Sequence, residues 1–250
     1  MTVSFSEYLE LAPYLTTENG VKSLHFDGQS IQSAMHLDDP FALALSYSQT
    51  MMGFLLFVPE PKQVLIVGLG GGSLPKYCYR HLPECKITTL EINSEVIALR
   101  DEFSIPADND RFAIVETDAV DYITKGLADA DVIMLDAYDK DGLPSVLASE
   151  SYYDHCRMAL SEKGVLVINL WGTDAKLNIY LERLKRVFNG RVWYCRAFNS
   201  YNVIVFASND EGYKMNWIKL LFAASKLESQ YELDLQGIVR RLRAGLVYSL

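Results

Sequence analysis

The chain has 250 residues, half of them apolar, enough to bury a sheet on both faces without the disulfide or metal staples that a mini-protein needs. Its 23 Lys and Arg against 32 Asp and Glu leave a formal charge of −9. That field repels phosphate backbones and anionic bilayers, which excludes nucleic acid and membrane surfaces as expected partners.

The amino terminus, M-T-V-S-F-S-E-Y-L-E, has neither a basic region nor a long apolar one, and no apolar run approaches the ~18 residues of a membrane span. A cytoplasmic protein is expected. The hydrophobic pattern then changes twice along the chain. Residues 1–58 read as an N-terminal β-hairpin extension, in which Asp27-Gly28 supplies the positive-φ pair of a type I′ turn, followed by a helical stretch over 39–57.

Residues 59–210 alternate short apolar runs with amphipathic stretches. The runs are V-L-I-V-G, K-I-T-T-L-E, F-A-I-V-E, D-V-I-M-L-D, G-V-L-V-I-N-L and N-V-I-V-F-A. Helices are predicted over 73–81, 94–103, 118–126, 149–161 and 174–188, the last stopped by Asn189-Gly190. This is the pattern of an α/β, doubly wound, mostly parallel Rossmann-like sheet. Residues 211–250 return to helical periodicity and are expected to pack on that sheet or on a partner subunit. Cysteines 78, 85, 156 and 195 form no C-x-x-C pair, and Cys78, His81 and Cys85 have no fourth ligand nearby, so reduced thiols and no metal centre are expected.

The chemistry gathers at strand ends. The first run of the sheet closes in Gly68-Leu69-Gly70-Gly71-Gly72-Ser73, where an open sheet brings backbone N–H groups to a ligand. Glu91, at the end of the second, stands where a carboxylate accepts both hydroxyls of a ribose. Asp118, after the third, either receives an exocyclic amine such as adenine's or caps the next helix. The fourth ends in Asp136-Ala137-Tyr138-Asp139, two carboxylates facing the crevice, with Asp136 half-buried after four apolar residues.

This order of motifs resembles the spermidine synthase family, the polyamine aminopropyltransferases, whose sheet is that of the class I S-adenosylmethionine-dependent methyltransferases. The resemblance covers residues 22–208. F-D-G-Q-S-I-Q is similar to that family's L-D-G-x-x-Q with one residue added, which puts Gln32 at a nucleoside contact. V-L-I-V-G-L-G-G-G-S-L lies without gaps on V-L-I-I-G-G-G-D-G-G-T, placing Gly68, Gly70, Gly71 and Gly72 in the donor loop. Glu91 falls on the ribose-binding acid and Asp118-Ala119 on the adenine-binding Asp-Ala. D-A-Y-D-K-D-G-L-P is similar to D-S-[ST]-D-P-x-G-P. The resemblance implies Asp136 as the catalytic carboxylate, Asp139 as a ligand of the amine, Leu143 and Pro144 as a wall of the adenine pocket, and Tyr201 as a polyamine contact. It further implies transfer of an aminopropyl group from decarboxylated S-adenosylmethionine to a small-molecule amine, methylthioadenosine as product, no metal, and a homodimer.

The chain departs from that pattern in three places. Gly71 replaces the Asp that holds the donor's ammonium, and Ile66 cannot substitute for it. Tyr47-Ser48-Gln49 stands for Y-H-E, and Ser200-Tyr201-Asn202 for T-Y-P-x-G-x-W. Without a carboxylate at 71 the chain is expected to favour methylthioadenosine, or another nucleoside, over decarboxylated S-adenosylmethionine and to show weak or no classical spermidine synthesis, and Gly71→Asp to raise affinity for decarboxylated S-adenosylmethionine relative to methylthioadenosine. The alternatives are an S-adenosylmethionine-dependent methyltransferase, which shares the sheet and Glu91, and a thioadenosine-binding homologue without activity. An NAD-dependent dehydrogenase fits less well, because Ser73 takes the last glycine position of its fingerprint. A nucleophile elbow fails at Pro75.

Overall fold

In the computed structural model, which describes residues 13–26, 31–126, 129–138 and 142–245, the chain opens with a three-stranded antiparallel sheet, β1 (Tyr14–Glu18), β2 (Val21–His25) and β3 (Ser33–His36). Glu18 pairs with Val21, so Asn19-Gly20 forms a two-residue turn with φ of 50° and 76°. Positive φ at both central residues is the type I′ geometry. That turn thus joins β1 to β2, whereas Asp27-Gly28 lies outside the described residues. The runs on either side of Asp27-Gly28 do pair, with Leu24 opposite Ser33.

The helix expected over 39–57 starts only at α1 (Ser46–Met51) and tightens into a 3-10 turn over Met52–Leu56. Pro40 disfavours the α region at Asp39, and the carboxylates of Asp38 and Asp39 bond the N–H groups of Asp39 and Phe41 instead.

A seven-stranded sheet follows, built from β4 (Gln63–Val67), β5 (Lys86–Glu91), β6 (Phe112–Glu116), β7 (Ala130–Leu135), β8 (Leu160–Trp171), β9 (Val192–Arg196) and β10 (Asn202–Ser208). Its spatial order is β6-β5-β4-β7-β8-β10-β9. Five strands run parallel; β10 is antiparallel to both β8 and β9. The five residues joining β9 to β10 are too few for a crossover, so this pair must be a hairpin. Strand β9, V-W-Y-C-R, was not among the expected runs, although its β-branched and aromatic residues follow directly on the Asn189-Gly190 stop.

The connecting helices are α2 (Ser73–His81), α3 (Ser94–Ala98), α4 (Ala119–Thr124), α5 (Glu150–Ala159) and α6 (Leu177–Val187), then α7 (Trp217–Tyr231) and α8 (Leu235–Ala244). Helix α3 is shorter than predicted: past Ala98 the Leu99 and Arg100 N–H groups bond the carbonyls of Val96 and Ile97, three residues back, and the chain goes on in turns. Helix α6 ends as predicted: Asn189 and Gly190 take φ of 51° and 77°, and the Gly190 N–H bonds the Lys185 carbonyl at 2.8 Å.

One face of the sheet, with Ile66, Met134, Val167 and Phe206, is covered by α2, α3, α7, α8 and the N-terminal segment. The other, with Leu65, Ile133, Leu166 and Val205, is covered by α4, α5 and α6. The C-terminal helices therefore pack on the sheet, through Leu220, Ala224, Leu235, Ile238 and Leu242. The four cysteines are free and buried. Lys76, on α2, is only 1% exposed, and its ammonium donates to the Phe103 carbonyl at 2.7 Å.

Candidate active site

Helices after β4 and β5 cover one face and those after β6 and β7 the other, so the crevice of this sheet opens between the carboxyl ends of β4 and β7. There the two chains stay in contact to the last step. The Asp136 N–H bonds the Val67 carbonyl at 2.9 Å, and a Cβ on Gly68 (φ 96°) would lie 2.3 Å from the Asp136 carbonyl oxygen. Only glycine lets the backbone pass so close. Gly70 and Gly72 continue the loop, and α2 begins after Gly72.

Strand β3 lies across this loop. Ser33 Oγ is 3.4 Å from Ser73 Oγ, which also bonds the Ala34 carbonyl. Gln32 immediately precedes that contact, its N–H on the Leu24 carbonyl.

Gly71 is closely surrounded. Its φ is not positive, and a Cβ there would sit 2.8 Å from both Phe103 Cδ1 and Ser33 Oγ. Phe103 is fully buried, so the space that an aspartate would need is already filled. Gly71→Asp is therefore expected to lower stability by about 1–3 kcal/mol, the usual cost of overpacking. A fall in the thermal midpoint reads this out; an unchanged midpoint would mean that Phe103 and Ser33 yield.

Glu91 is held by three backbone donors. Oε2 accepts from the Leu69 N–H at 2.9 Å, and Oε1 from the Ile92 and Asn93 N–H groups at 2.9 Å each. Burial pushes its carboxyl above the usual range, and these three bonds oppose the rise. Oε1 is filled by its two donors, while Oε2, with one, keeps lone-pair capacity for a further donor. Asp118 does cap α4, its Oδ1 accepting from the Val120 N–H at 2.7 Å. Its second oxygen has no hydrogen bond among the described residues, so the cap leaves one acceptor unused. Ala119 and Leu143 are buried together with Leu65, Val67 and Leu90, and Pro144 follows directly.

Across the crevice, Asp136 anchors a polar cluster. Its Oδ1 accepts from Asn169 Nδ2 at 2.9 Å and its Oδ2 from the Tyr47 hydroxyl at 3.2 Å. Burial raises the Asp136 pKa, with the Asn169 and Tyr47 bonds pulling the other way; burial and the neighbouring carboxylate also raise the Tyr47 hydroxyl. Asn169 is 3% exposed and also takes a bond from Tyr138, whose hydroxyl donates to its carbonyl at 2.7 Å.

Tyr47, Asn169 and Asn202 were not expected in the site. The sequence did carry signals for two of them: Asn169 is the one polar residue in V-L-V-I-N-L, and Tyr47 opens the Y-S-Q segment. Tyr201 is 60% exposed at the rim, its ring centroid 6.3 Å from that of Trp171. Asp139 lies outside the described residues. Along the sheet edge the order is thus Asp118, Glu91, the glycine loop, Asp136, then Asn169. Three strand spacings, ~14 Å, separate β6 from β7, room for a base, a sugar and a thioether arm in succession. Among the described residues no group of three or more His, Cys, Asp or Glu is arranged to hold a metal.

The model of the spermine/spermidine synthase domain matches residues 44–205. The polyamine aminopropyltransferase of Chromobacterium violaceum is 39% identical over 92% of this chain and 88% of its own length. A probable spermidine synthase from Corynebacterium glutamicum superposes with a TM-score of 0.71 at 18% identity, covering 85% of this chain and 83% of that one, a likeness of fold. Human methyltransferase-like protein 13, solved in complex with SAH, gives 0.70 at 25% identity over 76% of this chain and 93% of that one.

Proposed function

This chain belongs to the spermine/spermidine synthase family, and from that premise we propose that it transfers an aminopropyl group from decarboxylated S-adenosylmethionine to a small-molecule amine. The observation that carries the reading is Asp136: a half-buried, doubly hydrogen-bonded carboxylate at the switch point, beside the glycine loop.

In the reaction, the acceptor nitrogen attacks the aminopropyl carbon bound to the sulfonium. The N–C bond forms, the C–S bond breaks, and sulfur keeps the electron pair as neutral methylthioadenosine. An alkylammonium with a pKa near ~10 must first give up a proton, and Asp136 takes it. Its raised pKa makes it a stronger base than an exposed aspartate. Glu91 holds the ribose hydroxyls, Asp118 and Ala119 receive the adenine, and Leu143 and Pro144 wall the base. Gln32 and the glycine loop close over the nucleoside. Asp139 and Tyr201 take the far end of the amine. With no carboxylate at Gly71, the donor's ammonium is left to Asp136. Among the described residues no helix is long and apolar enough to cross a membrane; a cytoplasmic homodimer is part of the same reading.

A second reading keeps the site and changes the donor: a methyltransferase using intact S-adenosylmethionine, favoured by the likeness to a fold solved with SAH and by the absence of an acid at Gly71.

The nucleoside half is tested by Glu91→Gln. No orientation of an amide satisfies donors on both of its oxygens, so one N–H must face an NH2 group. Methylthioadenosine affinity in calorimetry should fall by about 2 kcal/mol. The wild type should discriminate against the 2′-deoxy nucleoside and the variant should not. Equal discrimination by both would remove Glu91 from the ribose.

A further inference from the structure

The side chains behind Asp136 are polarised in one direction. Asn169 gives its amide to Asp136 at 2.9 Å, and its Oδ1 accepts from Asn202 Nδ2 at 2.8 Å. Asn202 Oδ1 in turn accepts from the Ser200 hydroxyl at 2.5 Å, while the Asn202 N–H donates to Ser200 Oγ at 3.1 Å. A carboxylate only accepts, so it dictates that the Asn169 amide nitrogen point at it. The oxygen of Asn169 then requires a donor on its other side, and Asn202 supplies it. The two ends of an amide side chain have nearly the same shape, so hydrogen bonding rather than packing selects between its two orientations.

Were Asn202 unable to donate, the flipped Asn169 would no longer be disfavoured, and that flip sets an oxygen against the carboxylate. Asn202 thus acts on Asp136 without touching it. It opens β10, directly after the turn that holds Phe198 and Tyr201 at the surface, and it pairs with Trp171, 46% exposed. The turn is fixed to β8 by the bond from the Gly172 N–H to the Tyr201 carbonyl at 2.9 Å, and a Cβ at Gly172 would come within 2.2 Å of that oxygen.

We infer that Asn202 is a positioning residue for Asp136, acting through Asn169, and that this relay couples the aromatic turn on the acceptor side of the crevice to the carboxylate. Its meaning for catalysis rests on the reading of Asp136 as the base; the relay itself does not. Among the described residues, the other groups facing Asp136 are the hydroxyl of Tyr47, from α1, and Tyr138, after the end of β7.

The test is the titration of the Asp136 carboxyl carbon, followed by carbon-13 NMR in the full chain, which needs no turnover. Asn202→Asp puts an acceptor where Asn169 needs a donor and should move the midpoint up by about one pH unit. Asn202→Leu, which adds no charge, should move it in the same direction by less, and covers the case in which the first variant folds poorly. In an Asn169→Leu background the relay is cut, and Asn202→Asp should then have little further effect. No movement in either single variant, or the same movement with Asn169 present and absent, overturns the relay, the latter by showing a through-space field. If the shift appears but wild type transfers nothing from decarboxylated S-adenosylmethionine, the relay stands and the reaction assignment fails. If wild type transfers and the shift is missing, the reverse holds. In an active protein the acid limb of kcat/KM should move with the NMR midpoint.

Discussion

Asp136→Asn should cut aminopropyl transfer by ~10²- to 10³-fold while leaving nucleoside affinity and the thermal midpoint near wild type. The substitution removes the proton acceptor and little else. The amide oxygen can still accept from Asn169 Nδ2, and its NH2 can donate to the Tyr47 hydroxyl, which is free to turn and accept. The loss is therefore chemical rather than architectural, and it should fall on kcat. The pH profile gives a second handle. The carboxyl works only when ionised, and burial holds its pKa above the usual range. Wild-type kcat/KM should accordingly fall as pH drops through a value above the ~3.9 of an exposed aspartate, and in the variant that limb should vanish from the residual rate. Undiminished transfer by Asp136→Asn would remove this residue from the mechanism.

The second large effect concerns stability. Lys76 is buried with one acceptor, the Phe103 carbonyl, for its three donors, and burial pushes its ammonium down to about 8. The unfolded chain holds that proton up to ~10.4. Between the two values the unfolded state binds more protons than the folded one, so this residue's contribution to stability rises with pH across the window. The cost of burying the charge is full below pH 8 and relieved by pH 10.5, a swing of about 3 kcal/mol, on the order of 2 of it by pH 10.

Other groups work in the opposite sense. The thiols of Cys85 and Cys195 are raised by burial to about 12, so the unfolded state loses their protons first and stability falls above the ordinary thiol range. The readout is consequently the difference between wild type and Lys76→Met, in urea unfolding at pH 7 and pH 10. Wild type should gain on the variant by about 2 kcal/mol between them; parallel profiles would mean that the ammonium is solvated. The site is sensitive to this packing, because the Lys76 bond holds the segment whose Phe103 ring fills the space beside Gly71.

What the sequence displayed of this molecule follows the range of the interactions involved. Apolar runs bounded by turn residues located six of the seven strands of the sheet, and Ser73–His81 was found to the residue, because local pattern and local capping decide those elements. Strand β9 was not among the expected runs although its residues are β-prone; pairing with β10 makes it a strand. Asp39-Pro40 overrode the helical pattern from 39 to 45, a local signal that outweighed the periodicity. At the site, Gly68, Glu91, Asp118 and Asp136 announce themselves by standing at strand ends. Tyr47, Asn169 and Asn202 do not, because what brings them together is the meeting of α1, β8 and β10, elements distant in the chain. The crowding at Gly71 is hidden for the same reason. Its neighbour Phe103 lies 32 residues away in sequence, and no local rule places an aromatic ring against that loop.

Which bond at sulfur breaks, and where the carbon goes, decides the function. Wild type incubated with decarboxylated S-adenosylmethionine, or with S-adenosylmethionine, and a panel of diamines of different length, with products resolved by mass, decides this directly. The predicted result is methylthioadenosine released one for one with an acceptor heavier by one aminopropyl group, from the decarboxylated donor only, and lost in Asp136→Asn. A methylated acceptor with S-adenosylhomocysteine from the intact donor, or tight nucleoside binding without any transfer, would contradict it.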